Sequence, residues 1–454
     1  MGAFHAYDIR GIYNEDFDRT TAYKVGYFIP GLLGADTVVV GRDCRLSSKE
    51  IRDALVEGIT DAGADVRDLG LSSTPMVYFA TAHYGFKASV QITASHNPKN
   101  YNGMKVSREN ALPVGLDSGL GQIQAWIEEG RPTPPAARKG KVTAFDIHDD
   151  YLAFMRGYLA DLSGLKIAFD LSNGMSNLFA KEIFGEGHSY IFDTMDGNFP
   201  GHEPNPLQPE NVKPLRDLVR RTGADVGVIY DGDADRVMFV DEQARFVAPD
   251  LVVALMSRYF LGERGEKSPV VLQEIRSSKA VTEFLEPLGC RVHTWKVGRA
   301  YAAPKLREID GLWGGELAGH YYFKDFHYSD SGLLSSLIVL RIVAGLKREG
   351  KTLGEEMDRI AGYFNSGEIN FRVDDKKGAM DALKARFSDR ETPVKVMDFD
   401  GYRLEFRGWW FNIRPSNTEP SLRLICEAND RTLLEDRVAE AGRVIENEFG
   451  GQRV

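Results

Sequence analysis

Six consecutive residues, Thr93-Ala94-Ser95-His96-Asn97-Pro98, put a hydroxyl beside an imidazole and an amide at the end of an apolar run. The run itself, Ala88-Ser89-Val90-Gln91-Ile92, reads as a buried strand. Asn97-Pro98 then turns the chain out of regular structure, because the residue before proline avoids the helical region. A serine at the tip of such a turn is expected to face a cleft, where it could carry a phosphate. An ordinary polar turn uses the same residue types, so both readings stand on this segment alone.

Asp231-Gly232-Asp233-Ala234-Asp235-Arg236 lies between two strand-like runs, 226–230 and 237–240. Three carboxylates at alternate positions converge only if something offsets their repulsion, and a divalent cation does this directly. A calcium loop of the EF-hand type matches at Asp231, Asp233, Asp235 and Glu242, but it needs glycine where Arg236 stands and helices where these flanks read as strands. A solvated acidic turn is the plain structural alternative. The favoured reading is magnesium, which takes few protein carboxylates together with phosphate oxygens, so the missing ligand would be a phosphate. Arg236 could hold that same phosphate.

Three further clusters are polar and punctuated by glycine or proline. Gly314-Gly315-Glu316-Leu317-Ala318-Gly319-His320 reads as a glycine-rich loop that lets backbone approach a ligand while Glu316 and His320 present hydrogen-bonding groups, or as a plain β-turn. Arg414-Pro415-Ser416-Asn417-Thr418-Glu419-Pro420 offers a guanidinium, two hydroxyls and an amide between prolines, which suits a phosphate cradle; a polar turn is the alternative. Lys105 follows Ser95 by ten residues, across a turn expected at Asn102-Gly103, and could return to act as general base or acid. A solvated lysine is the commoner fate of that residue type.

The elements that must position these groups follow an α/β pattern, strand-like runs alternating with amphipathic helical stretches. A helix, a glycine and a short strand recur around Gly63, Gly223 and Gly289, each glycine a plausible helix C-cap. Apolar openers at 37–40, 166–170 and 270–273 precede them, which suggests three α/β domains of similar plan. The proline-rich stretch 131–135 reads as a stiff linker. Beyond about residue 365, short alternating strands and helical stretches near 379–387 and 432–448 predict a small α+β domain. Boundaries are therefore expected at 1–135, 136–246, 247–363 and 364–454.

The 454 residues carry 56 Lys and Arg against 66 Asp and Glu, a net charge of -10 that argues against general nucleic-acid binding. Basic residues serving an anionic substrate must then be gathered in one place. Cys44, Cys290 and Cys426 are widely spaced and odd in number, as expected of packed thiols in a reducing compartment. No run approaches the about 18 apolar residues that span a bilayer, and a cytoplasmic location is expected.

Together these segments resemble the α-D-phosphohexomutase superfamily, most closely its phosphomannomutase/phosphoglucomutase branch. The resemblance rests on Tyr7-Asp8-Ile9-Arg10-Gly11, Gly41-Arg42-Asp43-Cys44-Arg45, Ser73-Thr74-Pro75, the serine loop with residues 101–105, the aspartate loop, the Glu316/His320 loop and the Arg414 segment, in that order. It implies an α/β fold of four domains around a central cleft, three of similar mixed α/β plan plus a C-terminal α+β domain. It implies that Ser95 is carried as phosphoserine and that Mg²⁺ is bound by Asp231, Asp233, Asp235 and a phosphoserine oxygen. Arg10, His96, Lys105 and Arg236 would surround the transferring phosphoryl group. Tyr7, Arg276, Arg299, Glu316 and His320 would contact the sugar phosphate, and Arg414, Ser416, Asn417 and Thr418 would grip its second phosphate. The implied reaction interconverts hexose 1-phosphate and hexose 6-phosphate through a hexose 1,6-bisphosphate that also serves as activator. Small hexose phosphates are the expected partners, with no nucleic acid or membrane, and the chain is expected as a monomer or small homo-oligomer.

Two positions depart from the pattern. Ala318 stands where many relatives carry serine, and Arg299 where some have histidine. Both bear on the choice of hexose, and the opening Tyr-Asp-Ile-Arg-Gly with the Glu316 loop favours mannose and glucose phosphates over glucosamine phosphate. Phosphoglucosamine mutase is the rival within the superfamily. A metal-dependent phosphatase would leave Ser95 and the Arg414 segment unexplained, and a non-catalytic sugar-phosphate binder would be expected to lose Ser95 or an aspartate.

Overall fold

The computed structural model describes residues 2–416 and 421–454. Among these residues the strands form four sheets that succeed one another along the chain, and we number the domains after them. The first sheet runs Ile9–Ile12, Tyr101–Arg108, Ala88–Ile92, Thr37–Arg42, Asp65–Leu71 and Val142–Ala144, with Leu112–Pro113 beside the second of these. Its middle is parallel, and Tyr101–Arg108 pairs antiparallel on both sides. Val142–Ala144 joins this sheet after the proline-rich stretch, so the first sheet reaches beyond the boundary expected at 135.

The second sheet is Val237–Asp241, Val226–Tyr230, Ile167–Asp170 and Ser189–Ile191, with the aspartate loop joining the first two as an antiparallel pair. The third is Arg291–Trp295, Val270–Glu274, Trp313–Gly315, Tyr321–Phe323 and Ser329–Asp330. In each of these, strands separated by a helix pair parallel and strands joined by a short loop pair antiparallel, as connection length dictates. Gly63, Gly223 and Gly289 all take positive φ at the ends of helical segments (91°, 61° and 90°), so the recurring phrase is a real unit of backbone. The fourth sheet is antiparallel throughout and is accompanied by helices Lys376–Arg390 and Arg431–Arg443. The α/β then α+β organisation is the expected one.

Domains 1 to 3 share apolar packing. One core cluster passes from Met76 and Phe79 through Phe169 and Tyr230 to Trp313 and Leu337. Helix Gly332–Arg348 packs against strands Val226–Tyr230 and Val237–Asp241 and helix His148–Arg156; it is apolar on nearly every side and therefore buried among neighbours rather than laid on a surface. Domain 4 keeps a separate core around Phe371, Trp409 and Phe411. It meets domain 3 through a small apolar cluster of Ile275, Val297 and Met397 and through polar contacts, buried Arg403 donating to the carbonyls of Ile275 (2.8 Å) and Ser277 (2.5 Å) and Ser278 Oγ donating to Glu427 (2.8 Å). The three cysteines are free thiols, and among the described residues no helix is long and apolar enough to cross a membrane.

Candidate active site

Ser95 stands just beyond the fully buried strand Ala88–Ile92, with its backbone in the left-handed region at φ 51°. A non-glycine residue stays there only when its surroundings hold it. Arg45 does the holding. Its guanidinium, itself buried, donates to the carbonyls of Ser95 (2.9 Å), Asn97 (2.6 Å), Pro98 (2.7 Å) and Tyr101 (3.1 Å) and pairs with Asp43 at 3.2 Å. The serine is not presented at an open turn tip as expected; it is 3% exposed. The aspartate loop closes over it, and Gly232 is what permits the approach, since a Cβ there would lie 2.5 Å from the Ser95 carbonyl oxygen.

Ser95 Oγ donates to Asp231 Oδ2 at 2.8 Å and accepts from Arg236 Nη2 at 3.2 Å. Arg236 Nε also binds Asp231 Oδ2, at 3.0 Å. Lys105 Nζ reaches Asp233 Oδ2 at 2.7 Å and Asp235 Oδ2 at 2.6 Å. It gets there by strand register, not by a turn at Asn102-Gly103. Those two residues lie inside Tyr101–Arg108, opposite Gly11 and Arg10, and the register sets Lys105 across from Gln91. Gly103 serves close packing instead, because a Cβ would lie 2.0 Å from the Ile9 carbonyl oxygen.

The aspartate cluster fits a divalent cation. Ligand oxygens of Asp231, Asp233 and Asp235 lie within 4.8 Å of one another, and all three residues are buried. Asp233 Oδ1 and Asp235 Oδ1 are buried and make no hydrogen bond among the described residues. Buried anionic oxygens without hydrogen bonds are costly unless cations answer them, and Arg236 Nε and His320 Nδ1 come only to 3.9 Å and 3.8 Å from Asp235 Oδ1.

Burial raises the Asp231 carboxyl, and Asp233 and Asp235 raise it further. Burial works against the Lys105 ammonium, yet Asp233 and Asp235 hold it well above the usual lysine range. Burial keeps His96 well below the usual histidine range, helped by Arg236, Arg10 and Lys105, so its imidazole is neutral. His320 moves the other way, to about 9: burial opposes its charge, but Asp235 and Asp330 outweigh that, the latter through a 2.6 Å hydrogen bond. Arg10 donates to Asn97 at 2.8 Å and pairs with Asp8, which carries it into the serine loop.

The Glu316/His320 segment is joined to the end of the aspartate loop, Arg236 pairing with His320 and Val237 N–H donating to the Gly319 carbonyl at 3.3 Å. Gly314 and Gly315 belong to the strand Trp313–Gly315, so the loop proper begins at Glu316. Tyr322 OH donates to Glu316 Oε1 at 2.5 Å. Arg276 is buried between Glu274 (2.9 Å) and Glu368 of domain 4 (2.8 Å). Arg414 lies 3.6 Å from Asp400 and close enough to Arg276 and Tyr7 to interact electrostatically. Tyr7 OH donates to the Val297 carbonyl at 3.1 Å.

Arg299, expected at the sugar phosphate, makes protein contacts of its own. Its Nε binds Asp330 at 3.0 Å, its Nη2 binds the Ala111 carbonyl at 2.7 Å, and its guanidinium sits 3.6 Å above the Tyr78 ring, so it braces domain 3 against domain 1. Ser416 donates its N–H to the Ser421 carbonyl, while Asn417 and Thr418 lie outside the described residues.

Four family models match in succession: phosphoglucomutase/phosphomannomutase alpha/beta/alpha domain I over residues 1–132, domain II over 149–244, domain III over 248–363, and the C-terminal domain over 368–442. The chain belongs to the phosphoglucomutase/phosphomannomutase family. The phosphomannomutase of Escherichia coli K12 is 36% identical over 96% of this chain and 98% of its own length. The phosphomannomutase of Methanocaldococcus jannaschii is 34% identical over 97% of both. Among solved structures, a phosphoglucomutase/phosphomannomutase family protein from Burkholderia thailandensis superposes with a TM-score of 0.87 at 27% identity, covering 100% of this chain and 99% of that one. Membership makes the chain a hexose-phosphate mutase, an isomerase of carbohydrate metabolism.

Arg45 and Thr74 make buried contacts with the serine loop and with Asp233 that local sequence does not disclose. Both stand in short motifs that carry the family resemblance, yet nothing local tells which atoms they touch.

Proposed function

We propose that the enzyme interconverts the 1- and 6-phosphates of mannose, glucose or both, with Ser95 as the phosphoryl carrier. Phosphoserine 95 gives its phosphoryl group to the free hydroxyl of a hexose monophosphate; the serine P–O bond breaks as a sugar P–O bond forms. The hexose 1,6-bisphosphate then turns over, and Ser95 takes back the other phosphoryl group. The observation that carries this reading is the setting of Ser95 Oγ, 2.8 Å from Asp231 Oδ2 and 3.2 Å from Arg236, with Asp231 itself one of three aspartates whose ligand oxygens lie within 4.8 Å of one another.

Mg²⁺ held by Asp231, Asp233, Asp235 and a phosphoserine oxygen would supply positive charge against the phosphoryl group in transit. Arg236 and Arg10 add fixed cationic donors around Ser95. Lys105, kept as an ammonium by Asp233 and Asp235, is suited to return a proton to the departing serine oxygen. Neutral His96 offers an acceptor nearby, its Nδ1 buried and without a hydrogen bond among the described residues. Glu316 and His320 would orient the sugar. Tyr7, Arg276, Arg414, Ser416, Asn417 and Thr418 would hold the phosphate that is not reacting.

The test is to incubate the enzyme with mannose 1-phosphate, glucose 1-phosphate or glucosamine 1-phosphate, Mg²⁺ and a trace of the corresponding bisphosphate, and to follow products by phosphorus NMR. The 6-phosphates of mannose or glucose are expected, with phosphate label retained on denatured enzyme and no turnover by Ser95→Ala. Release of free phosphate, or full activity of Ser95→Ala with no label on the wild type, would overturn the reading.

A further inference from the structure

Thr74 is the first residue of helix Thr74–His83, after the N-cap Ser73, and it is completely buried. It belongs to domain 1, yet both of its hydrogen-bond donors are spent on one residue of domain 2. Its Oγ1 donates to Asp233 Oδ2, and its N–H donates to the Asp233 carbonyl at 3.1 Å. Asp233 Oδ2 thus accepts from two domain 1 donors, Thr74 and Lys105, while Oδ1 stays buried without a hydrogen bond among the described residues.

The terminal torsion of an aspartate is broad when nothing restrains it. Two donors converging on one oxygen remove that freedom and decide which oxygen is left over. We propose that Thr74 is a positioning residue of the metal centre: it turns Asp233 so that Oδ2 is spent on domain 1 and Oδ1 is kept for the cation. Lys105 alone cannot do this, because its ammonium is shared with Asp235 and sits on a flexible stem. The Thr74 hydroxyl is short, buried and anchored by the start of a helix whose own N–H holds the Asp233 backbone. Outer partners of ligating carboxylates tune metal affinity in this way. The inference rests on the reading that the aspartate cluster binds a divalent cation.

The experiment is a Mn²⁺ titration of the full-length protein, free Mn²⁺ being read by electron paramagnetic resonance, with no sugar and no turnover. Thr74→Val keeps the shape of the side chain and removes its donor. Its Mn²⁺ affinity is expected to fall by about 10-fold or more relative to wild type. Thr74→Ser, which restores the hydroxyl, is expected to bind as wild type does. Thr74→Ala gives a second reading of hydroxyl loss should the valine variant fold poorly. In steady-state assays the Mg²⁺ needed for half activation should rise in the valine variant while KM for the hexose phosphate holds. Asp231→Asn separates the two levels. If wild type binds no Mn²⁺, or Asp231→Asn binds as well as wild type, the metal reading falls and the inference with it. If wild type binds and Thr74→Val binds equally, or Thr74→Ser is as weak as Thr74→Val, the positioning role alone is overturned.

Discussion

Arg45 Nη2 meets the Ser95 carbonyl oxygen at 2.9 Å from a fully buried position, so the loop that carries the proposed nucleophile is built around a cation. Lysine at this position has one compact ammonium and cannot serve four carbonyls and Asp43 together. Each buried acceptor left unpaired costs about 1–3 kcal/mol. Arg45→Lys should therefore unfold at lower urea. It should also lower kcat by about 100-fold, the scale of a displacement near 1 Å at a reacting centre. Wild-type kcat and midpoint in this variant would count against the brace.

Lys105 is the buried cation shared by Asp233 and Asp235. Lys105→Met keeps much of the stem and deletes the charge. Steady-state kinetics should show kcat down by about 10²–10⁴-fold, the usual worth of a positioned acid or base, with KM for the hexose phosphate moving far less. A variant retaining near wild-type kcat would remove Lys105 from the chemistry.

Glu427 joins domain 4 to domain 3 and should make stability depend on pH. Burial pushes its carboxyl up to about 7 from 4.5, with Asp250 adding to the rise. A raised acid binds its proton more tightly in the folded state, so its contribution is full below about pH 4.5 and is lost as pH climbs through about 7. At 1.36 kcal/mol per unit this amounts to roughly 3 kcal/mol at most. Glu427→Gln mimics the protonated acid. Thermal unfolding from pH 5 to 8 should show wild type losing stability relative to this variant, and parallel curves would refute the assignment.

Helices Arg19–Leu33 and Ser48–Asp61 cross at bare backbone. A Cβ on Gly58 would lie 2.0 Å from the Tyr23 carbonyl oxygen, and one on Gly26 would lie 2.1 Å from that of Leu55. Gly58→Ala must part the helices and should cost at least about 1–3 kcal/mol in urea unfolding. A Cβ on Gly31, in the same first helix, would meet nothing within 4 Å among the described residues outside its own stretch of helix. Gly31→Ala should instead stabilise by about 0.4–1 kcal/mol. Equal effects at the two positions would contradict this packing.

Much of this protein was legible in short windows of sequence. The buried strand Ala88–Ile92 has the bounds its residues suggested, and the glycines after three helical segments take the positive φ that a C-cap needs. Three alternating aspartates between strand-like flanks do sit on a loop between two antiparallel strands. Such features depend on a few neighbouring residues, so their residue types suffice to encode them. Asn102-Gly103 shows the limit: the dipeptide has turn chemistry, but pairing with Ile9–Ile12 overrides it and keeps the chain extended.

What only the tertiary structure decided is which atoms meet. Ser95 and Asp231 are 136 positions apart, Thr74 and Asp233 are 159, and Lys105 reaches Asp235 across 130. No local pattern holds these pairings, because they depend on strand register and on the apolar core that domains 1 to 3 share. Likewise, Arg45 and Arg299 are both arginines in recognisable motifs, and burial among carbonyls in one case and between domains in the other assigned their work. The sequence by itself determined the chemical groups and the local backbone that carries them; long-range packing determined their geometry, since the free energy that orients a buried side chain comes from distant partners.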